Sequence, residues 1–169
     1  FSPFVPLNSQ DSGLPAILFN FTVTNPNDKA VRVSLMATQQ NLVGWDGKTH
    51  IDGVHNLGYG GNVNSLAHLQ KVTALDLGNV RLAADHPANG QLALAVLKEP
   101  GDEVTAMLRW ESPRQLWDHF VHHFGRLPTP EAYPASSGVS PDGQTWNGAL
   151  AVHFELAPGA SRAVTFVLA

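Results

Sequence analysis

The strongest constraint on this chain is a series of short apolar runs with a period of two residues, separated by turn-forming clusters. Ile17, Phe19, Phe21 and Val23 alternate with Asn20, Thr22 and Thr24, and Asn25-Pro26-Asn27-Asp28 follows. Proline presets φ, and Asn and Asp side chains bond the local backbone, so this cluster is a turn. Val31, Val33 and Leu35 then alternate with Arg32 and Ser34, which predicts a β-hairpin over the two runs. Strands resume over Leu66–Leu77 and Val80–Ala83. Gln91–Leu97 is apolar on both faces, the pattern of a central strand. Val104, Ala106, Leu108 and Trp110 form a further set, as do Leu150, Val152, Phe154 and Leu156. Ala157-Pro158-Gly159-Ala160 turns the chain, and Val164, Phe166 and Leu168 return it. About eight strands without βαβ alternation predict an all-β fold, an antiparallel β-sandwich.

One amphipathic helix interrupts the pattern, over about 113–124. Ser112 suits the N-cap, Pro113 the first helical position, and Gln115 completes a capping-box spacing. Leu116, Trp117, Phe120, Val121 and Phe124 cluster on one side, with Leu116, Trp117 and Phe120 expected in the core and Gly125 as the C′ stop. Trp110 is also expected in the core. Two stretches lose periodicity altogether, 41–65 and 128–148, and long loops of this kind are often functional.

The 169 residues fit one domain, 1–169. No Cys is present, which removes disulfides, thiolate metal sites and Cys nucleophiles. The net charge of −4 gives no long-range attraction for a phosphate backbone, so no nucleic-acid partner is expected. No apolar run approaches the roughly 20 residues of a transmembrane segment. No signal peptide is visible, and a cytoplasmic location or one peripheral to membranes is the expectation. Charged residues make up 14%, against about 25% in ordinary soluble domains, as expected of a surface partly covered by another domain. The apolar opening (Phe1, Phe4, Val5, Leu7) and the ending inside a strand read as those of a piece of a longer chain.

Chemistry-bearing residues concentrate in loop 41–65. Trp45 has a ring suited to stacking on a sugar or to pinning the loop. Asp46, His50, Asp52, His55, Asn56 and Tyr59 surround it in sequence, and together they are the candidates for a substrate entrance or an interface. Asp46 and Asp52 are the one carboxylate pair to weigh, but a glycine-rich loop holds such a pair poorly at the separation that glycoside hydrolysis needs. No catalytic residue is assigned. His119 and His123 have the four-residue spacing that lets two imidazoles share a metal, yet no HExxH glutamate accompanies them. They are read as a polar helix face, and neither a metal site nor a cofactor is expected.

The order of several short motifs carries a resemblance. Phe1-Ser-Pro-Phe-Val-Pro6, Asp11-Ser12, Leu14-Pro15, Phe21-Thr-Val-Thr-Asn-Pro26 and Gln40-Asn41-Leu-Val-Gly44 come first. Gly90-Gln-Leu-Ala-Leu-Ala-Val96, Leu116-Trp117-Asp118-His119-Phe120, Gly125-Arg126-Leu127, Leu156-Ala-Pro-Gly159 and Val164-Thr-Phe-Val-Leu-Ala169 follow. The set resembles the N-terminal domain of glycoside hydrolase family 116, the non-lysosomal glucosylceramidase and bile-acid β-glucosidase family. The resemblance implies a β-sandwich followed by an (α/α)6 catalytic domain in a retaining β-glucosidase. It also implies that the Glu nucleophile and Asp acid/base belong to that second domain, outside this sequence. The expected partner is then the C-terminal catalytic domain of the same polypeptide, with the glucoside substrate reached through it. A free-standing carbohydrate-binding module is the alternative.

Overall fold

The computed structural model describes residues 13–129 and 135–169. The apolar opening Phe1–Leu7 and the Asp11-Ser12 motif lie outside them. The strands are β1 (Ile17–Thr24), β2 (Val31–Gln40), β3 (Asn62–His68), β4 (Val72–Asn79), β5 (Leu92–Leu97), β6 (Glu103–Trp110), β7 (Asn147–Leu156) and β8 (Ser161–Leu168). Helix α1 (Pro113–His122) lies between β6 and β7. A five-stranded sheet, β1-β8-β5-β4-β3, faces a three-stranded sheet, β2-β7-β6, and every strand pair is antiparallel. The chain is thus the expected β-sandwich, and β5 is central in its sheet, as its two apolar faces require.

The expected hairpin of the first two strands does not form. β1 pairs with β8 and β2 with β7, in different sheets. The cause lies in the intervening turn. Asn25 is buried, and its amide nitrogen lies 2.8 Å from the Lys29 carbonyl oxygen, 3.0 Å from that of Leu156 and 3.1 Å from that of Ala157. Its backbone N–H donates to Ala160 and its carbonyl accepts from Gly159. The two crossings between sheets, after β1 and after β7, are therefore tied to each other through one side chain. Val80–Ala83 is not a strand either: the Arg81 and Leu82 amides donate to the Asn79 side chain, 2.8 and 3.0 Å away, and the chain turns instead.

Between the sheets lie Leu66, Leu75, Leu77, Leu94, Val96, Leu108, Leu150, Val152, Phe154, Val164 and Phe166. The other face of β7 is covered as well. Ala149 and Ala151 pack with Met36 and Met107 under Leu116, Phe120 and Leu127, so α1 lies on the outer face of the three-stranded sheet. Small alanines let the helix approach closely, which explains why β7 is buried along nearly its whole length.

Two details of α1 depart from expectation. Ser112 is extended at the N-cap but its side chain makes no capping bond, and the capping box does not form. The first turn is exposed, so solvent can satisfy its amides. At the other end, Gly125 N–H donates to the Phe120 carbonyl and Phe124 N–H to that of Val121, 2.7 and 3.3 Å away. This is a Schellman ending in which Phe124, not glycine, takes the left-handed position, at φ +55°. Gly125 comes one residue later, at φ +80°, where a β-carbon would lie 2.5 Å from Ser34 Oγ. Trp117 is the further correction: it is 58% exposed, whereas Leu116 is buried and Phe120 half-buried beneath the helix. The helical step of about 100° per residue explains this, because Trp117 points past the edge of the contact that Leu116 makes. Trp110 is half-buried and packs in the layer beneath the helix.

Candidate functional site

The irregular segment runs from Asn41 to Gly61, since β3 already begins at Asn62. It is braced along its length by the segment before β7. Asn56 N–H donates to Gly143, Gly143 N–H to Tyr59, Gly61 N–H to Ser140 and Thr145 N–H to Val54. At its root Asn41, Asn62 and Asn64 are fully buried. The Asn41 amide donates to Asn64 Oδ1 and to the Gly78 carbonyl, 3.1 and 2.9 Å away, while its Oδ1 accepts from Val43 N–H at 3.1 Å. Asn62 donates to the Val43 carbonyl at 2.7 Å, and Asn64 reaches across the sandwich to the Leu108 carbonyl at 2.8 Å. Thr145 Oγ1 donates to the Asn41 carbonyl at 2.6 Å, and Ser137 and Ser140 hydroxyls accept from the backbone N–H groups of Asn64 and Asn62, each at 2.9 Å. Buried amides with this many partners fix a single arrangement.

The candidates within the segment divide into two groups. Trp45, Asp46, Asn56 and Tyr59 serve the loop itself. The half-buried Trp45 donates its indole N–H to the Thr49 carbonyl at 2.8 Å. Asp46 Oδ1 accepts from Thr49 N–H, Lys48 N–H and Thr49 Oγ1, at 2.8–2.9 Å. Those backbone N–H groups, Thr49's first and Lys48's next, hold its pKa below the ordinary value. Asn56 is buried, donates to Thr49 Oγ1 and the His50 carbonyl, and accepts from Gly58 N–H. Tyr59 is buried, its hydroxyl donates to Gln40 Oε1 at 3.3 Å, and burial pushes its pKa up to about 12. His50, Asp52 and His55 form the second group and face solvent, with Asp52 and His55 exchanging backbone hydrogen bonds beside the fully projecting Leu57.

An Asp46 that caps its own turn is poorly placed for acid–base chemistry, since its ionised form is stabilised where it stands. No group of three or more metal-ligating side chains occurs among the described residues. No helix among them is long and apolar enough to cross a membrane.

A second polar cluster, which the reading of the sequence missed, lies under the end of α1. His153 on β7 bonds Ser34 Oγ through Nδ1 at 2.9 Å and Thr105 Oγ1 through Nε2 at 2.7 Å. Burial, aided by the nearby Arg126, lowers its pKa, against an opposing pull from Glu103. Together with Arg32, Phe124, Arg126, Phe154 and Glu155 it lines a groove of about 740 Å³. The signal in the sequence was His153 itself, a titratable side chain between Val152 and Phe154 on the strand face opposite theirs.

Fold and loop together define a class: a β-sandwich domain with one helix-covered sheet and a rigid, hydrogen-bonded loop end. No curated protein matches the chain. A family model described as beta-glucosidase 2, glycosyl-hydrolase family 116 N-term, matches residues 1–169. The chain belongs to this family, as the order of its motifs had suggested, and membership implies a catalytic domain in the same polypeptide.

Proposed function

We propose that the chain is the accessory, structural N-terminal domain of a retaining β-glucosidase of the glucosylceramidase-like kind, packed against the helical catalytic domain. The observation that carries this reading is the outer side of α1. Trp117 and Val121, one turn apart on the helix, are 58% and 52% exposed, and Phe124, just past the helix end, is 93% exposed. The domain core already has Leu116 and Phe120 from the same helix, so these side chains add nothing to it. Phe124 is held on left-handed backbone, rare for a bulky residue, with its ring in water. Such a patch marks a surface that another body covers.

Within this reading, loop 41–61 shapes the substrate entrance, and His50, Asp52, His55 and Leu57 are the side chains free to meet an aglycone. The hydrolytic carboxylates reside in the catalytic domain, and this domain contributes position and rigidity. A free-standing carbohydrate-binding module is less well supported, because Trp45 spends its N–H on the loop and is half-buried.

The test uses the full-length enzyme. Trp117→Ser combined with Phe124→Ser is expected to split one cooperative thermal transition into two, as the sandwich and the catalytic domain uncouple. A single transition unchanged in temperature overturns the docking. Leu57→Ser with His55→Ala is expected to lower kcat/KM for glucosides with bulky aglycones more than for a small aryl glucoside. Equal kinetics on all of them removes the entrance role.

A further inference from the structure

We propose that a groove on the outer face of the five-stranded sheet binds an uncharged saccharide. Strand β4 supplies its floor, β3 one side, and the segment leading into β5 the other. The register sets Ser65 opposite Asp76 and Val63 opposite Gly78 on that outer face, since Leu66, Leu75 and Leu77 take the inner one. Gly78 carries no side chain, and a β-carbon there would meet nothing within 4 Å, so the sheet is bare at this point. Asn89 and Gln91 complete the lining of a cleft of about 510 Å³, within the range of small-ligand sites.

Asp76 carries the argument. It lies in mid-strand between two fully buried leucines and is itself half-buried. Asp is depleted from strands, and a carboxylate drawn out of bulk water costs free energy unless something bonds it. Among the described residues nothing does, by hydrogen bond or by ion pair. Its neighbours on the same face, Ala74 and Ala93, are too short to cover it. Ser65 Oγ and the Gln91 amide also lack partners, and Asn89 uses only its nitrogen, on the Ala83 carbonyl.

These open groups specify the ligand. No Lys, Arg or His lines the cleft, so an anion finds no counter-charge beside Asp76. Calcium takes ~6–8 oxygen ligands, and one carboxylate among amides and a hydroxyl is a poor cage for it. An apolar ligand would leave the polar lining unpaired. Sugar hydroxyls both donate and accept. Two vicinal hydroxyls can donate to the two oxygens of one carboxylate, the stronger kind of hydrogen bond, while others reach Ser65, Asn89 Oδ1 and Gln91. Val63 offers an apolar contact to the C–H face of the ring. The inference does not depend on the docking proposed above.

The experiment is hydrogen exchange of the full-length protein, read by mass spectrometry, with cellotetraose, xylotetraose or mannotetraose up to millimolar concentration. At least one of them should slow exchange in peptides covering 62–66 and 88–91. Sugar held by a catalytic domain would protect other peptides, so the two readings fail separately. Asp76→Asn keeps the side-chain shape and should weaken the response about tenfold or more, the loss expected for a hydrogen bond to a charged group. Gly78→Val fills the bare floor with a residue that suits a strand and should abolish the response, with the melting temperature unchanged or raised. Asp28→Asn, in the exposed turn between β1 and β2, should change nothing. No protection of these peptides by any of the three sugars, or protection that survives Asp76→Asn and Gly78→Val, overturns the proposal. So does protection of the same peptides by Ca²⁺ with no sugar present, which would make the cleft a cation site.

Discussion

Gly44 and Gly58 meet backbone to backbone: a β-carbon on Gly58 would lie 2.3 Å from the Gly44 carbonyl oxygen, and one on Gly44 2.5 Å from that of Gly58. The contact draws the start and the end of the irregular segment together, so its two arms touch with no side chain between them. Gly44 also sits at φ +100°, which only glycine adopts without strain.

Gly58→Ala is therefore expected to destabilise the domain by about 1–3 kcal/mol through overpacking. Gly47→Ala is the useful comparison, because a β-carbon there meets nothing within 4 Å and only the cost of φ +75° remains. Chemical denaturation of both variants measures the difference. A Gly58→Ala protein as stable as the parent would mean that the loop arms part easily.

Asn41→Ala should be among the most damaging substitutions outside the apolar core. It removes the acceptor for the Val43 N–H and the donor to Asn64, both buried, and the donor to the part-buried Gly78 carbonyl. Each buried group left unpaired costs about 1–3 kcal/mol, so the total loss should exceed that of a typical surface change several-fold. Denaturant unfolding checks it, and loss of hydrogen-exchange protection at Val43 should accompany the fall.

The third prediction concerns acid. Arg162 donates from both terminal nitrogens to Asp102, at 2.7 and 2.5 Å, and its guanidinium lies 4.3 Å from the Phe154 ring centre. Burial works to raise the Asp102 pKa, but the Arg162 bonds, the Glu99 N–H and the nearby positive charges outweigh it, and the net shift is downward. A carboxylate depressed in the folded state adds stability above its unfolded value of about 3.9, and that stability is lost as pH falls through the lower folded value. Asp102→Asn should thus cost about 1.5–3 kcal/mol at neutral pH, with the deficit narrowing below about pH 4. Unfolding curves across that range test the sign. A deficit that widens in acid would contradict it.

Leu116→Ala and Trp117→Ala, one residue apart, should behave oppositely. Leu116 is buried against β7, and its truncation should cost about 2–5 kcal/mol. Trp117 is largely exposed, and its loss should leave the stability of the sandwich itself nearly unchanged. Denaturant unfolding of the isolated domain, provided that it folds alone, or hydrogen exchange at β7 in the full enzyme, separates the two.

What could be read from the sequence follows from where the information resides. Alternation such as Val164, Phe166, Leu168 states that a segment is a strand and which face is buried, so strand positions and the sandwich class were legible. Alternation does not state which strand pairs with which. Proximity in the chain suggested a β1–β2 hairpin, but the buried Asn25 commits the chain to a crossing, and a single Asn in a turn looks the same either way. In the loop, polar side chains read as candidates for a substrate entrance or an interface. Most of them satisfy the loop's own backbone, as Asp46 and Asn56 do, and that distinction needs three-dimensional partners. Asn62 and Asn64 share the inward period with Leu66, so the alternation itself points two asparagines into the interior. On the helix, Trp117 and Leu116 are neighbours in sequence but about 100° apart around the axis, and the width of the buried face decided between them.

The pairing of β1 with β8 and of β2 with β7 has a consequence for biosynthesis. The first two strands leave the ribosome with no partner to meet, and they wait until the last two have been made. During that interval Phe19, Phe21, Val33 and Leu35 belong to an unclosed sheet, open to misassociation. Closure joins the earliest and latest parts of the domain in one late step, which makes folding slow relative to its size and sensitive to any truncation near Phe166.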